Sequence, residues 1–482
     1  MLFNSLRFLI FFPVVFLLHW TLPERLRKYF LLAASYYFYM CWKPAFILLV
    51  VFSTGVDYLC GLGMERFPAR KGALLAVSLT ANLGLLFFFK YFNFFGRTVT
   101  ALCHAASLPV SVPVLDLILP VGISFYTFQT LSYTIDVYRG KMEPEHDLVS
   151  FALFVSYFPQ LVAGPIEQAE SLLPQLKAPR TFRYDQAAHG ARLMAWGFFK
   201  KCVAAAYLAQ LADRVYGNVS AAAGGAAALA TAAFALQIYC DFGGYSDIAR
   251  GCSELLGVEL MVNFKAPYFA QSIRAFWRRW HISLTGWFRE YVYIPLGGSQ
   301  RGLARTLRNT WIVFFLSGLW HGADWTFVVW GLLHALYLSG ETLWKRLRRS
   351  ADNRDCGPCY KVLATLWTFA LTCAAWVFFR ADTMADALAL LRAALVGLAY
   401  PGTYLRDAYV LLMAGGRWVA VMTAFSVLVL FGVDALDERT DVMEAVGRLR
   451  PAVRYPLYLL FLTGLALLIP KTTAAPFIYF QF

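Results

Sequence analysis

The chain has 482 residues, of which 59% are hydrophobic and only 15% charged. Soluble globular domains carry about 25% charged residues, so composition sets that class aside and points to an all-α, polytopic membrane protein. The formal net charge of +14 could suit nucleic acid, but the basic residues lie in short runs between apolar stretches, which is a topology signal and not a nucleic-acid face.

A bilayer-spanning helix needs roughly 20 apolar residues. Suitable stretches cover residues 6–22, 29–41, 46–60, 74–95, 117–137, 151–164, 191–216 and 226–248. The pair 309–320 and 325–344 follows, then 362–379, 418–433 and 455–469. Together they predict roughly eleven to thirteen transmembrane helices, with re-entrant or interfacial pieces where Gly and Pro break a run. The first stretch lacks a small-residue cleavage site and reads as a retained helix. Basic runs at 25–28, 66–71, 301–308 and 345–349 mark those loops as cytoplasmic and place Met1 outside. One integral-membrane domain, 1–482, is expected, with its polar region 252–308 at the cytoplasmic interface. No internal repeat is apparent, which weighs against an inverted-repeat transporter.

The nine cysteines give little chemistry. Cys41, Cys60, Cys202, Cys240, Cys252 and Cys373 lie in or beside apolar stretches, where a free cysteine behaves as a small hydrophobe. Cys356-Gly357-Pro358-Cys359 has the redox spacing, but no βαβ pattern surrounds it and no second Cys or His pair completes a zinc site. No metal or bound cofactor is expected.

Polar residues concentrate in four places. Gln237, Asp241, Tyr245 and Asp247 close an apolar segment around Gly243-Gly244, which reads as broken backbone lining a cavity; for Asp241 a helix-capping role is the stronger reading. Phe276-Trp277-Arg278-Arg279-Trp280-His281 alternates aromatic and basic residues, as suits a membrane interface. His281 stands out there as the only other histidine in so dense an aromatic and polar cluster. The stretch from Trp287 to Gly298 ends a helix and turns the chain at Pro295, Gly297 and Gly298. Finally, Trp320-His321-Gly322 sits at the tip of the paired stretches 309–320 and 325–344. Helical rise puts His321 about 20 Å from Arg308 and about 36 Å from Lys345, at mid-membrane or beyond, with Gly322 free to turn the chain. An intramembrane histidine reads as functional by default; the alternative is burial against a neighbouring carbonyl or Asp324.

These residues resemble the membrane-bound O-acyltransferase family, and within it the bacterial polysaccharide O-acetylation branch. The likeness runs along nearly the whole chain. It is carried by Leu119-Pro120-Val121-Gly122-Ile123-Ser124-Phe125-Tyr126-Thr127-Phe128-Gln129, by Pro159-Gln160-Leu161-Val162-Ala163-Gly164-Pro165-Ile166, and by the stretches 241–247, 276–284 and 291–298. Trp320-His321-Gly322 and the ending Phe477-Ile478-Tyr479-Phe480-Gln481-Phe482 complete it. The resemblance implies that His321 is catalytic and that His281 is a second polar residue of the active region, replaced by Asn in many eukaryotic relatives.

Acyl transfer from a thioester to a hydroxyl requires the hydroxyl proton to be removed as the new bond forms, a task suited to a neutral imidazole. His321 is therefore expected to be the general base. His281, or a nearby Trp or Arg, would orient the donor or stabilise the oxyanion. Trp320, Gly322, Trp280, Arg278, Arg279, Gln237, Asp241 and Tyr245 are the expected donor-binding or cavity-lining residues. No GxSxG elbow is present, which disfavours an acyl-serine route; a transient acyl-histidine stays open. The simplest donor is acetyl-CoA, meeting Arg and Lys at the basic inner face. By resemblance, the acceptor is an exopolysaccharide or cell-wall glycan, with a periplasmic acetyltransferase partner as relay, and the location is the bacterial inner membrane. The alternatives are a D-alanyl transferase of the same family with a carrier-protein donor, and a proton-coupled transporter or flippase with His321 as a proton-relay residue. The transporter reading needs coupled ionisable residues, for which Asp57 and Lys90 are weak candidates because the first can pair locally and the second can snorkel.

Overall fold

The computed structural model describes residues 1–347 and 357–470. Arg348, Arg349, Cys356 and the ending 477–482 lie outside the described residues. Those described are mostly helical, with no β-strand among them, as lipid demands: a helix satisfies its backbone N–H and C=O groups within its own segment. Six helical segments are long and apolar enough to cross a bilayer: Pro44–Arg66, Pro68–Ala105, Gly224–Leu255, Pro358–Arg380, Arg417–Asp437 and Pro451–Leu468. The chain is a multi-pass membrane protein. The other apolar stretches form helices that are shorter or more polar. Residues 151–164, for example, divide into two short helices at Tyr157, two positions before Pro159.

The fold divides into two compact units, residues 1–191 with 249–261, and residues 192–248 with those from Val262 onward. The first holds α1 (Leu6–Thr21), α2 (Glu24–Met40), α3 (Ile47–Arg66), α4 (Lys71–Leu86), α5 (Phe92–Ala105), α6 (Ile123–Arg139), α7 (Leu148–Ser156), α8 (Phe158–Leu161) and α9 (Ala169–Lys177). Its core includes Phe8, Phe38 and Phe158, with Phe38 and Phe158 ring centroids 5.5 Å apart. Two of the sequence motifs meet here. Gly122 precedes α6 at φ +76°, and a Cβ on it would lie 2.5 Å from the Leu161 carbonyl oxygen, so both conformation and space require glycine. Gln129 and Gln160 both donate to the Phe154 carbonyl, at 2.7 and 2.8 Å. Asp57 is fully buried and accepts from Ser78, Asn82 and Thr134, so this carboxylate is satisfied locally.

The second unit holds α10 (Tyr184–Phe198, entered from the first unit), α11 (Ala205–Tyr216), α12 (Gly224–Leu255, running on into the first unit), α13 (Ile273–Trp277) and α14 (Ile282–Phe288). Then come α15 (Leu303–His321), α16 (Trp325–Leu347), α17 (Pro358–Arg380), α18 (Met384–Gly397), α19 (Pro401–Met413), α20 (Arg417–Asp437), α21 (Val442–Gly447) and α22 (Pro451–Leu468). Contrary to the expectation of broken backbone at Gly243-Gly244, α12 is one continuous helix of 32 residues. The glycine serves packing instead. A Cβ on Gly244 would stand 2.7 Å from the Gly197 carbonyl oxygen, so two backbones approach where side chains would separate them.

The pair α15–α16 forms as expected, but α15 starts at Leu303 and takes Arg305 and Arg308 into its first turns. Its 19 residues rise about 28 Å, so the two legs are closer in length than the position of the basic run suggests. The helices meet through small residues: a Cβ on Gly318 would lie 2.5 Å from the Phe327 carbonyl oxygen, and one on Gly331 would lie 2.2 Å from that of Phe314. Gly322 is extended, at φ −153°, a conformation open to any residue. Its lack of a side chain leaves room for the Phe327 ring, 2.2 Å from where a Cβ would stand; the glycine is there for space, not for a turn. Gly331→Val is expected to force α15 and α16 apart and destabilise the protein by about 1–3 kcal/mol, read as a lowered thermal midpoint of the detergent-solubilised protein. An unchanged midpoint would mean that the contact is not tight.

Candidate active site

His321 is the last residue of α15 and is only 4% exposed. The Asp324 carboxylate, three positions on, accepts from the Thr326 backbone N–H at 3.0 Å and caps the start of α16. The imidazole is enclosed by aromatic rings: Trp320 and Trp330 each have a ring centroid 4.9 Å away, and Phe379 of α17 lies at 5.4 Å. The Trp330 side chain is fully buried, and its indole N–H finds no hydrogen-bond partner among the described residues. A buried donor without an acceptor costs about 1–3 kcal/mol, so this N–H is a group to be explained.

His281 reaches the same place from the segment before α14. Its ring centroid is 6.2 Å from that of His321 and 5.9 Å from Trp320. The side chain is fully buried, with Phe242 packed edge-on at 4.8 Å, and burial pushes its imidazole well below the usual histidine pKa. Its backbone is left-handed, at φ 44° and ψ 55°, a region in which Asn, Asp and His are the commonest residues after Gly. Backbone pairing holds it there. The Ile282 N–H donates to the Asn263 carbonyl and the Lys265 N–H to that of Arg279, both at 3.0 Å. The Asn263 side chain completes the seat: its Oδ1 lies 3.1 Å from His281 Nδ1, accepts from Ser283 Oγ at 2.9 Å and from the Ser283 backbone N–H at 3.3 Å, while its Nδ2 donates to Ser246 Oγ at 3.3 Å.

The Phe276–His281 run is anchored from α16. Glu341 accepts from the Ile273 N–H and, at 3.4 Å, from the Arg274 N–H, so it seats the start of α13. Trp277 Nε1 donates to His334 Nδ1 at 3.2 Å. Trp280 lies in the same aromatic wall, 5.1 Å from Trp376, which stacks on Trp330 at 5.7 Å. No motif in the sequence marks His334, yet it is fully buried among Trp277, Trp330 and Phe276. His281 is therefore not alone in sharing such surroundings with His321.

Of the expected site residues, His321, His281, Trp320 and Trp280 come together in this aromatic assembly, and Gly322 packs at its edge. Arg278 is exposed, and Arg279 forms a bidentate ion pair with Glu438 and donates to the Ala266 carbonyl. Gln237 is half-buried on α12, with an amide oxygen that has no partner among the described residues, and Tyr245 is buried. Asp241 lies inside α12, not at a cap; it pairs with Lys201, as Asp247 pairs with Lys200. Lys200 and Lys201 belong to a π-helical turn, Phe199–Ala204, between α10 and α11, a distortion of the kind that gathers at functional sites. Sequence gave no signal for Asn263, His334 or these lysine pairings, which depend on contacts distant along the chain. Among the described residues no His, Cys, Asp and Glu cluster could hold a metal ion, and Cys359 is a free, exposed thiol.

Comparison with known proteins adds the chemistry. The model of the membrane-bound O-acyltransferase family matches residues 143–380. The probable alginate O-acetylase of Pseudomonas putida is 34% identical over 502 aligned positions, covering all of both chains. The peptidoglycan O-acetyltransferase of Helicobacter pylori is 35% identical over 83% of this chain and 80% of its own. The teichoic acid D-alanyltransferase of Bacillus subtilis is 24% identical over 55% of this chain and 69% of its own.

Removing one partner of a buried ion pair leaves the other charge stranded, at a cost of about 3–5 kcal/mol. Lys201→Met is accordingly expected to unfold at markedly lower temperature than wild type, and Lys201→Met with Asp241→Leu to recover most of the loss. Equal instability of the single and double variants would show that the pair does more than balance charge.

Proposed function

Because the chain belongs to the membrane-bound O-acyltransferase family, we propose that this enzyme transfers acetyl from acetyl-CoA on the cytoplasmic side of the bacterial inner membrane to a hydroxyl on the far side. The hydroxyl belongs to an exopolysaccharide or cell-wall glycan, or to a periplasmic acetyltransferase that relays the group. His321 acts as the general base. The observation that carries the proposal is the near-complete enclosure of His321 by Trp320, Trp330 and Phe379 beside a second buried histidine.

In the reaction, the acceptor hydroxyl attacks the thioester carbonyl while His321 takes its proton. The tetrahedral intermediate collapses by breaking the C–S bond, and the proton passes to the departing thiolate. Burial of the imidazole limits the access of water and so favours transfer over hydrolysis. The negative oxygen of the intermediate needs a donor, and the partnerless Trp330 N–H, on a ring in contact with His321, is the strongest candidate for it. A carrier-protein donor and D-alanyl cargo fit less well, since the relatives named for O-acetylation align along much more of the chain.

The test is turnover of radiolabelled acetyl-CoA by the purified, detergent-solubilised protein with a glycan acceptor. His321→Ala should abolish label transfer while preserving the folded state. Retained transfer would remove His321 from the chemistry. Trp330→Phe keeps the ring and deletes the N–H; loss of one oxyanion donor predicts a kcat lower by about 10²–10³-fold, and an unchanged kcat would place the donor elsewhere.

A further inference from the structure

We infer that Asn263 is a positioning residue that locks His281 as its Nδ1–H tautomer, so that the neutral imidazole carries its lone pair on Nε2 and can act there as a hydrogen-bond acceptor. The orientation of the Asn263 amide is fixed by a group that can act in only one way. The Ser283 backbone N–H donates and cannot accept, and it lies 3.3 Å from Oδ1. Turning the amide over would set Nδ2 against that N–H, donor against donor. Ser283 Oγ donates to the same oxygen at 2.9 Å, and Nδ2 is directed to Ser246 Oγ.

Oδ1 is thus the atom 3.1 Å from His281 Nδ1, nearer than Ser283 Oγ at 3.5 Å, whose own hydrogen is directed to Oδ1 at 2.9 Å. The ring nitrogen therefore carries the hydrogen, because a carbonyl-type oxygen has none to give. A neutral imidazole protonated at Nδ1 has its lone pair on Nε2. His281 in that state has no hydrogen on Nε2 to donate to an oxyanion, so of the residues expected from sequence for that role a Trp or Arg is favoured. It can accept a hydrogen bond from a substrate hydroxyl or amide beside His321.

The lock is set on backbone and not on flexible side chains alone. The left-handed conformation of His281 is held by the Ile282 N–H on the Asn263 carbonyl. The same asparagine therefore fixes the main chain around His281 with its own main chain, and the ring with its side chain. His321 and His281 thus are two imidazoles with separate supports, one at a helix end and one in a hydrogen-bonded loop.

The catalytic consequence rests on the acyl-transfer proposal above; the tautomer does not. The test is nitrogen-15 NMR of the full-length protein labelled at histidine, with the His281 signals identified by their loss in His281→Asn. Wild type should show His281 protonated at Nδ1 and bare at Nε2. Asn263→Asp keeps an acceptor oxygen and should keep the Nδ1 hydrogen, whereas Asn263→Leu should give a mixture or the opposite tautomer. In parallel, Asn263→Leu should lower kcat for acetyl transfer by about 10–100-fold, taking the scale seen when the partner that orients a metal-bound histidine is removed, with KM for acetyl-CoA little changed and recovery in Asn263→Asp. A wild-type His281 bare at Nδ1 overturns the inference, and so does an unchanged tautomer in a folded Asn263→Leu. Should Asn263→Leu fail to fold, loss of the Nδ1 hydrogen in Asn263→Asp would overturn it instead. Absence of acetyl transfer in wild type would defeat the proposed function and leave the NMR result standing on its own.

Discussion

A polar group that leaves water inside a bilayer has only other protein groups to bond, and this constraint organises both units of the protein. Asp57 draws Ser78, Asn82 and Thr134 onto one carboxylate. Lys200 and Lys201 each find an aspartate on α12. Asn263 gathers His281, Ser283 and Ser246. Each arrangement joins residues distant in sequence, so polar satisfaction fixes helix positions that apolar packing alone would leave free to slide.

Small residues supply the second half of this logic. Without a hydrophobic force to separate protein from lipid, helices associate through close contact. Gly318 with Gly331, and Gly197 with Gly244, let backbones come within van der Waals reach. The first pair sets the α15–α16 hairpin and with it the place of His321. The aromatic residues then fill what the glycines leave: Phe327 occupies the space that a side chain at position 322 would need, and Trp330 turns from the close contact toward the imidazole.

Much of this was legible in the sequence. The low charge fraction, the apolar stretches and the Trp320-His321-Gly322 tip predicted an all-helical membrane enzyme, and the paired helices around His321 form much as their apolar stretches implied. The glycines misled in a consistent way. In sequence Gly243-Gly244 and Gly322 look like breaks or turns, because local pattern rules treat glycine as conformational freedom. Both act by leaving space for a neighbour that sequence does not reveal. Asn263 was invisible for a related reason: a single Asn in a polar stretch carries no periodicity, and its importance comes from three partners up to 20 positions away. Arg278 and Arg279 were conspicuous by composition, yet one faces outward and the other is taken up by Glu438.

The left-handed backbone at His281 bears on how relatives of this protein are to be compared. Most side chains are disfavoured there by a steric clash worth about 1–2 kcal/mol, so the fold itself narrows the alphabet at that position toward Gly, Asn, Asp and His. Histidine and asparagine can therefore exchange in evolution without any requirement that they do the same chemistry. An alignment column confined to those two residues would record the shape of the main chain as much as the mechanism, and conservation at position 281 is not, taken alone, a measure of catalytic importance.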